Sequence, residues 1–332
     1  MKRSHSMPIL ISFRRAFVYF LFSILYFLVS PCAIAQGETI CIIITGLGGM
    51  PEYEENFLSW GLATEAHFQD ELESVVYRLD GRDKKKSDIL QLFEQISSSP
   101  PKELWLFLIG HASHDNRNYK FNISGPDLTD QEIKTFFDGL GETRTYLIAA
   151  TSASGTLASK LGQENRVIVT ATKSATERQP PLFMSFFLEA VNSEEADTDK
   201  NARVSLLEAF LFSHQKVAAW FEEKGRIQTE HSMLQDNGQV LLEKKNILEN
   251  NPSNQGTLLA SMAYLSRAVE QPYRTREARE LASQGVEIER EIEDLKFRKN
   301  QMPEDEYYRV LEELLVKLAV LHESIAEMEG EL

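Results

Sequence analysis

Between residues 40 and 211 the chain alternates two hydrophobic patterns. Short runs at 40–44, 75–79, 104–109, 146–150 and 167–171 are apolar at nearly every position, which suits strands covered on both faces. The stretches at 56–68, 87–96 and 129–140 space their apolar residues as helices do, which suits crossover connections. Thr129 and Glu132 read as a capping box opening the last of these. The alternation predicts an α/β fold with a doubly wound, mostly parallel sheet. Two further helices are expected at 183–191 and 205–223.

The pattern changes after residue 236. Residues 237–256 turn polar, most clearly over NILENNPSNQG at 246–256, and predict a linker. Beyond it Leu281, Ile288, Leu295 and Met302 step by seven, while Leu311, Leu314, Leu318, Leu321, Ile325 and Met328 step by three and four. Both spacings are coiled-coil seams. Pro303 stands between them, where a proline suits the first turn of a helix. Residues 257–332 therefore predict an antiparallel α-helical hairpin (coiled coil), suited to structure, self-association or docking of a partner.

At the other end, Lys2, Arg3, Arg14 and Arg15 precede an apolar run over 16–29, and residues 31–35 (PCAIA) close with small residues before Gln36. This is the order of a secretory signal peptide spanning 1–35. The run of about 15 residues is short of the roughly 20 that a membrane span needs, so a membrane partner is expected only if the segment stays uncleaved. Pro31 before Cys32 fits a lipidation site poorly. The mature chain would keep Cys41 alone, which can form neither an internal disulfide nor a thiolate zinc site. The expected location is the periplasm or the extracellular space.

The 332 residues, 42% hydrophobic and 26% charged, can bury a large core. The formal net charge is −15, and the bases of the first 35 residues leave the remainder more acidic still. Such a surface repels phosphate backbones, so nucleic acid is excluded as a partner on charge grounds.

Ligands of an open α/β sheet sit beyond the carboxyl ends of its strands. The third run ends in GHASH (110–114) and the fourth in TSASG (151–155). If these strands are neighbours, His111 and the hydroxyls of 151–154 face one cleft, a base beside a nucleophile. On spacing alone the same residues serve equally as loop caps.

An apolar strand ending in Gly110-His111, followed about 40 residues later by a strand ending in Ser152-Ala153-Ser154-Gly155, resembles the caspase/legumain superfamily of cysteine peptidases (clan CD). There the first turn carries the catalytic His and the second has the form Cys-x-Ser-Gly. The run ATSASG (150–155) also resembles a bacterial branch whose turn has no Cys. The resemblance spans about 40–223 and implies a caspase/legumain-like domain over 36–236, with His111 and Ser152 at the dyad positions and backbone near both forming the oxyanion hole. Two departures carry physical weight. Ala112 replaces the Gly that usually follows the His, which limits the freedom of that turn. A hydroxyl stands where the superfamily relies on a reactive thiolate, and a hydroxyl needs a well-aligned base. The expectation is an exported peptidase homologue, catalytically degenerate and binding a peptide or protein. The alternatives are an active Ser/His hydrolase of peptide or ester bonds, and a structural envelope protein assembled through its hairpin.

Other features read more simply. Cys41 lies within an apolar run and reads as an inert buried thiol. Gly46-Leu47-Gly48-Gly49 has neither Walker nor Rossmann spacing and reads as a turn. The elbow of an α/β hydrolase would need Ser where Ala112 stands. Glu177 and Arg178 follow the fifth run, read as an ion pair or, by resemblance, as a border of the substrate pocket.

Asp197, Asp199, Asn201, Arg203, Ser205 and Glu208 fall at positions 1, 3, 5, 7, 9 and 12 of a twelve-residue stretch, the oxygen-ligand spacing of an EF-hand loop. Arg203 would offer its carbonyl and Glu208 both carboxylate oxygens, with Ca²⁺ the one candidate cofactor. Position 6 is Ala202 rather than Gly, and an acidic helix start also has a plain capping use. The acidic turn at 235–238 (QDNG) holds too few ligands to stand alone.

Overall fold

The computed structural model describes residues 39–330 except 116, 202, 237, 239, 243–257, 267–274, 298, 300 and 301. The expected signal segment and most of the expected linker lie outside the described residues.

Each predicted strand and helix forms. β1 (Thr39–Thr45), α1 (Pro51–Asp70), β2 (Val75–Asp80), α2 (Lys86–Ser98) and β3 (Glu103–Gly110) are followed by three short strands, β4 (Ala112–His114), β5 (Tyr119–Phe121) and β6 (Leu128–Thr129). Then come α3 (Asp130–Asp138), β7 (Arg144–Thr151), α4 (Thr156–Leu161), β8 (Arg166–Thr170), α5 (Phe183–Ala190), α6 (Leu206–Glu223), β9 (Met233–Asp236) and β10 (Val240–Leu242). The Thr129–Glu132 capping box opens α3 as its sequence predicts.

The main sheet has the order β2-β1-β3-β7-β8-β9-β10. Its first five strands are parallel, β9 runs antiparallel to β8, and β10 pairs antiparallel with β9. The chain leaves β1 toward β2 and returns on the other side to β3, so strand order reverses between β1 and β3. A crevice is expected at the carboxyl ends of those two strands.

Alternate residues divide the core. Cys41, Ile43, Trp105, Phe107, Tyr146, Ile148, Val167 and Val169 face one side with Phe57 and Phe68 of α1, Phe187 of α5 and Phe210 of α6. Their neighbours Ile42, Leu106, Leu147 and Ile168 are equally buried, on the face where Phe93 of α2 stacks on Phe136 of α3 at 3.9 Å. Helices on both faces explain why the strands read as continuous apolar runs. Truncating Phe107 to Ala would cost about 3–5 kcal/mol.

The C-terminal boundaries differ from the sequence reading. Val240–Leu242 pairs with β9, so the polar segment begins inside a β-hairpin. Leu259, Ala260, Ala263 and Leu265, in and after α7 (Leu258–Met262), pack into the main core. Leu206 N–H donates to the Ala263 carbonyl and Leu265 N–H to the Val204 carbonyl, tying this segment to the start of α6. The helical hairpin proper is α8 (Arg276–Phe297) and α9 (Glu304–Glu329). Its core is Ile292, Leu295, Tyr307 and Leu314, flanked by Ile288, Met302, Val310, Leu311 and Leu318. Gly285 lies against Leu318 and the Lys299 ammonium sits 5.1 Å from the Tyr307 ring centroid, as antiparallel packing requires. Ile292 and Tyr307 fall outside the predicted seams, and Met328 is exposed. No helix among the described residues is long and apolar enough to cross a membrane.

Candidate functional site

β3 and β7 are neighbours in register, with Gly110 opposite Thr151. His111 and Ser152 therefore open adjacent turns at one end of the sheet, as the sequence reading requires. The ends of β1 and β3 approach so closely that a Cβ on Gly110 would lie 3.0 Å from the Gly46 backbone, which explains the glycines at both places.

The His111 ring lies edge-on to Tyr53 and Phe57, at 5.4 and 5.2 Å between centroids. Its Nε2 is 2.9 Å from the Gly48 carbonyl. A carbonyl only accepts, so Nε2 carries the proton and Nδ1 the lone pair. Burial lowers the His111 pKa, with the Gly48 bond opposing, so the ring is neutral at pH 7. Its bond holds the glycine turn 46–49 in place, which gives that turn the structural role its sequence suggests.

Ser152 is buried, and its hydroxyl is committed twice. It donates to the Ala112 carbonyl at 2.9 Å and accepts the Ala112 N–H at 3.0 Å. His111 and Ser152 make no hydrogen bond to each other. The Ala112 N–H, a backbone donor that an oxyanion hole after the His would draw on, is spent on Ser152. The neighbouring hydroxyls are committed in the same way. Thr151 Oγ1 pairs with the Tyr119 hydroxyl at 2.8 Å. Ser154 donates to the Thr151 carbonyl at 2.9 Å, and Thr172 Oγ1 accepts the N–H groups of Ser154 and Gly155 at 2.8 and 3.3 Å. Between them Ala153 is fully buried at φ 55°, and a Cβ on Gly155 would lie 2.1 Å from the Lys173 carbonyl carbon. Cys41 is fully buried, and burial pushes its thiol pKa well up, with Glu65 adding, so it is inert.

The loop after β8 contributes Glu177, which the sequence reading singles out, and the segment before β9 contributes Glu230 and His231, which it does not. Glu177 pairs with His231 rather than with Arg178. Its carboxylate lies 2.5 Å from His231 Nδ1 and accepts the N–H groups of His231 and Lys173 at 3.2 and 2.9 Å, while its carbonyl accepts the Ala153 N–H at 2.8 Å. Arg178 is exposed. Beside them the buried Glu230 carboxylate accepts the N–H groups of Leu182 and Phe183 at the start of α5, each at 2.8 Å. Burial pushes Glu230 up to about 7, with Glu177 adding and the two N–H bonds opposing. These partners lie about 50 residues apart in sequence, where no local motif reaches. The one available signal was two titratable residues placed just before an apolar strand.

At the acidic loop three of the six predicted ligands, Asp197, Asp199 and Glu208, converge. One carboxylate oxygen each from Asp197, Asp199 and Glu208 lies within 4.8 Å of the others. Asn201 N–H donates to Asp197 and Asp199, both at 3.1 Å, and Arg203 N–H donates to the Asn201 side-chain oxygen at 2.8 Å. Glu208 forms a capping box with Ser205 and accepts the Thr198 N–H at 2.8 Å. Burial raises the Asp199 pKa, with the charges of Glu208 and Asp197 adding and the Asn201 bond opposing. Carboxylate oxygens are the hard donors that Ca²⁺ takes, and three of the roughly six to eight it needs converge here. Ala202 lies outside the described residues. Asp236, in the weaker turn at 235–238, instead caps α7 by accepting the Ala260 N–H at 2.8 Å.

No protein-family model and no curated protein matches the chain. Solved structures do. The chain is similar to the Drosophila initiator caspase Dronc, at 13% identity and TM-score 0.45 over 62% of this chain and 83% of that one. It is similar to caspase-1 from Spodoptera frugiperda, at 12% and 0.40 over 63% and 90%. It is also similar to a secreted C11 cysteine protease from Bacteroides thetaiotaomicron, solved with an irreversible peptide inhibitor, at 8% and 0.34 over 59% and 65%. The likeness to these structures is one of fold.

Proposed function

We propose that this chain is an exported peptidase homologue in which the turn after β7 has become a structural latch, and that it acts by binding a peptide or protein at the carboxyl end of the sheet. The observation that carries this reading is the Ser152 hydroxyl, which both donates to and accepts from Ala112. An attacking hydroxyl must pass its proton to a base, and this one is donated in a hydrogen bond to the Ala112 carbonyl instead. His111 is held by Gly48 and lends a neutral imidazole and an aromatic wall to the crevice.

A Ser152→Cys variant tests the reading. A latch predicts a thiol at 152 that iodoacetamide modifies only after unfolding, followed by mass spectrometry at that residue. A thiol labelled in the folded protein, and protected by His111→Ala, would restore the dyad and the hydrolase alternative.

The acidic loop is the second part of the proposal. Convergence of three carboxylates favours a divalent cation at Asp197, Asp199, Asn201, Arg203, Ser205 and Glu208. In that role the ion neutralises like charges at the start of α6 and so steadies the fold, with no part in chemistry. Calorimetric titration with Ca²⁺ tests it, and absence of heat at millimolar concentrations refutes it.

A further inference from the structure

Among the described residues, five of the eight exposed large hydrophobic side chains lie on α9: Tyr308, Leu315, Val316, Val320 and Met328. At about 100° per residue, Leu315, Val316, exposed Ala319 and Val320 share one face, with Tyr308 two turns earlier. This face is turned away from Tyr307, Leu314 and Leu318, which pack against α8. One apolar stripe is what a helix needs to join a hairpin. α9 carries a second, and an apolar patch left in water marks an interaction surface.

Charge selects the occupant. Glu312 precedes the patch by one turn and Glu323 follows it by one turn, both exposed and neither in an ion pair among the described residues. The nearby bases Arg309 and Lys317 are both drawn to Glu313, at 3.9 and 3.1 Å. Glu304, Asp305, Glu306 and Glu327 make both ends of the helix more acidic. A second copy laid on this face in parallel would set Glu312 against Glu312. Laid antiparallel about the patch, it would set Glu312 against Glu323. Either pairing juxtaposes like charges, which disfavours it.

We propose that the open face of α9 docks a basic amphipathic helix of a partner protein. The complementary helix carries apolar residues at i, i+1, i+4 and i+5, with Lys or Arg one turn beyond each end of that quartet.

The test uses the full chain and two labelled synthetic helical peptides that share the apolar quartet, one flanked by Lys and the other by Glu, with fluorescence anisotropy as the readout. At about 50 mM salt, where surface charges are weakly screened, the Lys peptide is expected to bind about tenfold tighter than the Glu peptide, each flanking pair contributing as exposed ion pairs do. Leu315→Ser with Val320→Ser should weaken both peptides about tenfold or more. Glu312→Lys with Glu323→Lys should invert the preference. All four positions face solvent, and an unchanged circular dichroism spectrum confirms an intact hairpin. Equal affinity for the two peptides, or a preference that does not invert, would overturn the proposal. A dimer of the free chain in sedimentation velocity that Val316→Asp disperses would also overturn it and give the face to a second copy.

Discussion

The turn after β7 and the loop before α6 are both polar connections into a helix whose polar groups are hydrogen-bonded internally, and they differ in charge. In the first, Ser152, Ser154 and Thr172 spend their hydroxyls on one another and on backbone, and Thr151 pairs with the Tyr119 hydroxyl. In the second, Asp197, Asp199 and Glu208 bring like charges within 4.8 Å. A buried group with its partners in place stabilises the fold and has little left for a ligand. Like charges held together cost stability until something of opposite sign arrives. The difference teaches where a ligand is worth seeking, because the neutral hydroxyls of the first turn are satisfied as they stand, whereas the clustered charges of the second still favour a cation.

The sharpest way to break this comparison is to empty the latch. Ser152→Ala leaves the buried N–H and C=O of Ala112 unpaired and should cost about 2–4 kcal/mol, read as a shift in the urea midpoint. A loss below about 0.5 kcal/mol would mean that the hydroxyl holds nothing. Next comes pH. Burial pushes Glu230 and Asp236 up to about 7 each, above their unfolded range, so their stabilisation is complete below that range and is lost as pH rises through about 7. Stability should therefore rise by about 1.5 kcal/mol from pH 8 to pH 6.5, and Glu230→Gln with Asp236→Asn should flatten that slope. Below pH 6.5 the burial-lowered His67 and His111 oppose the gain. A protein steadily more stable up to pH 8 would contradict the burial of these acids.

Smaller effects sharpen the other half. Ca²⁺ at ten times its Kd should add about 1.4 kcal/mol, seen as a rise in Tm that Asp199→Asn abolishes. An equal rise in that variant would place the ion elsewhere. Ala153 at φ 55° pays the left-handed penalty, so Ala153→Gly should gain about 1 kcal/mol, measured by the same unfolding. A loss instead would show that its methyl packs more than the backbone strains.

Much of this was legible in the residues. Runs such as 104–109 are apolar at every position because helices cover both faces of β3, and that pattern needs no tertiary knowledge. The adjacency of His111 and Ser152 hung on whether β3 and β7 are neighbours, a condition that the sheet order meets. What their side chains do there was not legible, because the Ser152 bond to Ala112 and the Glu177 bond to His231 join residues far apart in sequence through strand register and loop path. The polar stretch from 237 hid Val240–Leu242, because an edge strand buries little and so carries a weak apolar signal. Leu259 and Leu265 read as the start of a hairpin, although their contacts lie in the sheet core.

The state of the Ser152 hydroxyl decides between latch and dyad, and a fluorophosphonate probe on the folded chain reads it. The prediction is no adduct at Ser152 in the native chain, with or without Ca²⁺. An adduct mapped to Ser152 and lost in His111→Ala would make the pair a working dyad and contradict the latch.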